Sequence, residues 1–79
     1  MKEMEFKLER KELLDEVKPG VQFPIREYKI TNSYYYVMGA SYAMSGNYSV
    51  LDRLTSEYGT VKEVNNTPKG YFVTMQFDE

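Results

Sequence analysis

The chain has 79 residues, ten basic and twelve acidic side chains, a net charge of −2, and neither cysteine nor histidine. It is long enough for one domain with a small core. Disulfides, zinc sites of the nitrogen and sulfur type, and nucleophiles that rely on cysteine or histidine are excluded, and no catalytic residue, cofactor or metal is expected.

Met4, Phe6 and Leu8 alternate with Glu3, Glu5 and Lys7, the period of a half-buried strand. Leu13, Leu14 and Val17 then share one helical face, and Lys18-Pro19-Gly20 ends that segment, so a short helix is expected after the strand. Val21, Phe23 and Ile25 alternate again around Pro24, which lacks a ladder donor and points to an edge strand. The apolar register shifts by one residue before Tyr28 and Ile30, which suggests a bulge at Arg26-Glu27. Thr31-Asn32-Ser33 is turn material, and Tyr34 to Met38 has the composition of the next strand.

The glycines, alanines and serines of residues 39–47 predict a loop. Ser49 is a good N-cap for a second helix, with Val50, Leu51, Leu54 and Tyr58 on one face and Gly59 just past its end. Two strands, residues 60–64 and 71–77, then form a hairpin around a turn at residues 65–70. In the last strand Tyr71, Val73, Met75 and Phe77 share one face, and Phe72, Thr74 and Gln76 share the other.

The expected order is βαββαββ, a single α+β domain over residues 1–79. Two short helices would cover one face of an antiparallel sheet in a two-layer, ferredoxin-like sandwich. No apolar run has membrane-spanning length and none follows Met1, so a cytoplasmic protein without membrane contact is expected.

Residues 30–51 carry no charge and hold five of the eight tyrosines. In a strand, Tyr34 and Tyr36 face one side while Tyr35 faces the other, together with Phe72 and Tyr28. A two-layer sandwich leaves that side open, and an uncharged aromatic patch on an open sheet is a binding surface for protein. The candidate partner-binding residues are Tyr34, Tyr35, Tyr36, Tyr42, Tyr48 and Phe72, with Met38 and Met44 as adaptable neighbours. Self-association into a homodimer would also cover such a strand. Ser41, Ser45 and Ser49 have no base to activate them, and the carboxylates have no apolar pocket by sequence, so the expectation is a non-enzymatic binding module.

Lys69-Gly-Tyr-Phe-Val-Thr-Met-Gln-Phe77 leads a basic residue and a glycine into an aromatic strand. Residues 54–64 precede it as a helix-to-strand passage would, and Tyr36-Val-Met-Gly39 stands earlier as a second aromatic strand. In this arrangement residues 34–77 resemble an RNA recognition motif. That resemblance implies a ferredoxin-like sheet and binding of single-stranded nucleic acid through Lys69, Tyr71 and Phe72. The pattern departs from the family where Phe72 follows Tyr71 directly, and there is no basic stripe to hold phosphates. By size and composition alone, the chain is similar to the small proteins that phages and mobile elements carry. Anti-CRISPR inhibitors, which block a host protein by binding it, belong to that group.

Overall fold

The alternation at the N-terminus does produce a strand, β1 (Lys2–Leu8), with Met4, Phe6 and Leu8 buried and Glu3, Glu5 and Lys7 in solvent. The computed structural model, which describes residues 1–79, adds β2 (Gln22–Ile30), β3 (Ser33–Met38), β4 (Ala43–Ser45), β5 (Tyr58–Thr67) and β6 (Gly70–Phe77). They close into a barrel in the order β1-β4-β3-β2-β5-β6, with every neighbouring pair antiparallel. The expected ferredoxin-like α+β sandwich is therefore overturned: there is no α-helix, and the sheet has no open face because it curls onto itself.

Both expected helices fail for local reasons. Between β1 and Pro19 the chain is too short to repay helix nucleation. It forms a five-residue 3-10 helix, Lys11–Asp15, followed by one longer bond from the Val17 N–H to the Leu13 carbonyl. Leu13 and Val17 are buried against the barrel, so their spacing reflects a plug, not a helix face. In the second segment only Val50–Asp52 makes a 3-10 turn. Ser49 caps no backbone group; its hydroxyl lies 3.4 Å from the Asp52 carboxylate. Beyond it, Leu54 is drawn into the barrel mouth, and Tyr58 and Gly59 already belong to β5.

The predicted loop at residues 39–47 conceals β4, three residues that complete the closure. Ala43 and Ser45 face the interior between β1 and β3, where only small side chains fit. The Ser45 hydroxyl stands in for a ladder acceptor: it accepts the Tyr36 N–H at 2.8 Å and donates to the Gly46 carbonyl. Met38 hands over to β4 through a tight turn in which Gly39 and Ser41 have positive φ.

Pro24 does not mark an edge. It pairs with Tyr58 of β5, and from Ile25 onward β2 pairs with β3, so the residue without an N–H sits where one partner replaces the other. The register from Ile25–Met38 to Ile30–Ser33 is unbroken, so the bulge expected at Arg26-Glu27 is absent. The apolar pattern shifts there because Tyr28 and Ile30 lie on the outside of the barrel. A bulge occurs instead in β5, between Val61 and Glu63. The β5–β6 hairpin is longer than expected and turns on Pro68-Lys69 alone.

The core fills from all sides with Phe6, Tyr36, Met38, Val61, Val73, Met75 and Phe77, each at most 2 % exposed. Full burial of a side chain of this size is worth about 1.5–3 kcal/mol. Gly59 belongs to this packing and not to a helix end: a Cβ there would lie 2.6 Å from the Phe77 ring.

Candidate functional site

Outward residues of a barrel alternate with inward ones along each strand, and cross-strand partners on the outside form rows. One row crosses all six strands: Arg26, Val37, Met44, Lys7, Phe72 and Asn65 are successive partners on β2, β3, β4, β1, β6 and β5. Beside its first members lies the Tyr28–Tyr35 pair, two rings 5.2 Å apart and 13° from parallel. The Arg26 guanidinium stands over Tyr28 at 5.8 Å. Val37 is buried within this band, while Tyr28 and Met44 remain more than a third exposed. The band joins aromatic, aliphatic and sulfur-bearing side chains on a rigid support.

The structure divides the six tyrosine and phenylalanine candidates. Tyr35 and Phe72 lie in the outer band, bridged by Met44 and Lys7. Tyr36 points inward, is 1 % exposed and is part of the core. Tyr34 also faces inward and is half-buried, with the Arg53 guanidinium 4.7 Å from its ring. Tyr42 packs against Phe23 at 5.4 Å, and the Glu16 carboxylate beside its hydroxyl raises its pKa. Tyr48 exchanges two backbone hydrogen bonds with Tyr34, and burial raises its pKa. Of the residues drawn from the RNA-recognition resemblance, Lys69 occupies the β5–β6 turn, Tyr71 packs inward against the core and Phe72 faces out. Arg26 and Val37 complete the band and carried no distinguishing signal in the sequence; Tyr28 and Met44 did.

A second cluster lies at the barrel mouth. Arg53 donates two hydrogen bonds of 2.9 Å to the Glu27 carboxylate. The Tyr36 hydroxyl donates to Glu27 and accepts the Leu54 N–H, both at 2.8 Å. The Arg53 hydrogen bonds hold the Glu27 carboxyl below its usual range. Burial, aided by Glu27, pushes Tyr36 up to about 12. The Glu79 side chain accepts the N–H and hydroxyl groups of Thr55 and Ser56, and the Lys2 ammonium donates to the Asp52 carbonyl. Every group in this cluster has its partner, so its role is to fasten residues 52–56 across the mouth.

No group of three or more acidic, histidine or cysteine side chains is placed to hold a metal ion, and no helix is long and apolar enough to cross a membrane. No protein family, curated protein or solved structure matches the chain.

Proposed function

We propose that the protein is a binding module that acts by occupying a surface of another protein. Its contact is the outer band of Tyr28, Tyr35, Met44 and Phe72. The carrying observation is that band itself: Tyr28, Tyr35 and Met44 on the neighbouring strands β2, β3 and β4, and Phe72 on β6 across the stem of Lys7, with Arg26 and Glu5 at its margins. Aromatic residues and methionine are the side chains that protein interfaces concentrate at their centres. They are mounted on paired strands, so little ordering entropy opposes binding. A module of this kind inhibits its partner when the covered surface is one the partner needs.

The test is a pair of captures from lysate of the source organism, wild type against Tyr35→Ser/Phe72→Ser, each with and without nuclease. Both substituted side chains lie on the outside of the barrel, so far-ultraviolet circular dichroism should be unchanged. A protein retained by the wild type, resistant to nuclease and lost with the double variant supports the reading. Equal retention by both forms excludes the band. Retention that vanishes with nuclease favours single-stranded nucleic acid stacked on the same rings.

A further inference from the structure

Below Met44 the outer band opens into a groove. Gly46 lines it, and a Cβ built there meets nothing within 4 Å. Met44, Tyr48 and Phe72 supply its apolar walls. Three charged residues of β1 and its continuation line it: Glu5, Lys7 and Glu9, all exposed.

The charges are not equivalent. Lys7 runs toward the β5–β6 turn, where a Cβ at Gly70 would lie 3.4 Å from its Cε. Glu5 and Glu9 are in no ion pair, whereas Glu3, Glu27 and Glu79 each have a cation within 4.0 Å. The groove therefore joins an aromatic, apolar wall to a net negative rim. Such a surface is complementary to a side chain with an aliphatic stem and a cationic head, which can lie against the Tyr48 and Phe72 rings while its charge meets a carboxylate.

Resting on the protein-binding reading above, we infer that the occupant of this groove is a partner segment in which lysine or arginine accompanies apolar side chains. Asp78, an exposed carboxylate just past the end of β6 away from Phe72, lies outside the groove and serves as the control charge.

The test uses random peptides displayed on phage and selected on the full chain, followed by titration of the strongest binders. The expected result is enrichment of lysine and arginine beside leucine, isoleucine, methionine or phenylalanine. Glu5→Lys/Glu9→Lys should weaken those peptides about tenfold, as reversal of two surface charge contacts implies, and Asp78→Lys should not. Gly46→Leu, which fills the groove without changing a charge, should weaken them as well. Enrichment of acidic or uncharged peptides overturns this inference and leaves the binding-module reading in place. So does enrichment of basic peptides that ignore Glu5, Glu9 and Gly46. Selection of no peptide at all overturns both.

Discussion

Replacing Tyr36 with phenylalanine removes one oxygen from the centre of the mouth cluster. That oxygen accepts the buried Leu54 N–H and donates to Glu27, both at 2.8 Å. Glu27 keeps its two bonds from Arg53, so the carboxylate remains paired. The Leu54 N–H has no alternative acceptor in the cluster, and Leu54 is only 5 % exposed. A buried donor left without a partner costs about 1–3 kcal/mol. We expect Tyr36→Phe to lower stability by about 2 kcal/mol, or about 10 °C in Tm for a domain of this size. Urea unfolding followed by circular dichroism, at neutral pH, gives the number. The m value should not change, because the ring still fills its place. There is also an alkaline signature. The folded pKa of Tyr36, about 12, lies above its ordinary value of 10.0. Its stabilising contribution is whole below pH 10 and is lost as pH rises through 12. The wild type should therefore lose more stability than Tyr36→Phe over that interval. A variant within about 0.5 kcal/mol of the wild type at pH 7 would refute the reasoning, since it would mean that the Leu54 N–H finds another partner.

Glu27→Gln should lower stability by about 1 kcal/mol at neutral pH, an amount kept small because Arg53 is half exposed. The folded pKa of Glu27 is below 4.5, so the difference should be present above pH 4.5 and shrink as pH falls through the folded value. A gap that widens on acidification would contradict this account. Gly59→Ala should cost about 1–3 kcal/mol in a thermal melt, because the added methyl meets Phe77 at 2.6 Å and Met75 at 3.0 Å. A neutral effect would show that the Phe77 ring can move. Glu79→Gln should speed hydrogen exchange at the Thr55 and Ser56 amides about tenfold while β5 and β6 stay protected. Uniform loss of protection would mean that residues 52–56 are not a separately fastened segment.

Much of the strand content was legible in the sequence because alternation survives in a barrel as well as in a sandwich. β1 and β6 show it cleanly, and Tyr34 to Met38 falls within β3. What local pattern could not reveal was closure. It depends on β4, whose Ala43 and Ser45 are small because the interior is crowded there, and small residues in a row resemble a loop. The helices were misread for a related reason. Leu13, Val17 and Leu54 have helical spacing but are inserted singly into the barrel, each drawn by burial and not by a shared face. The second is also undone by the long-range pull of Glu27 on Arg53, a contact between residues 26 apart that no window contains. The candidate surface was partly legible. The alternation that separates Tyr35 from Tyr36 holds, and Phe72 faces outward beside Tyr71 facing inward. Tyr34, Tyr42 and Tyr48 look alike in sequence, yet the first two rings are taken by Arg53 and Phe23, while Tyr48 is tied to Tyr34 through its backbone and lines the groove with its ring.

The most direct test of the central claim is the amide nuclear magnetic resonance spectrum of the isotope-labelled chain, recorded free and saturated with the nuclease-resistant protein that it captures. The account predicts that the largest shifts fall on the outer positions of β1, β3, β4 and β6, at Lys7, Tyr35, Met44 and Phe72. Residues 50–57 should move little. Shifts confined to residues 50–57, or a response to single-stranded nucleic acid and to no protein, would contradict it.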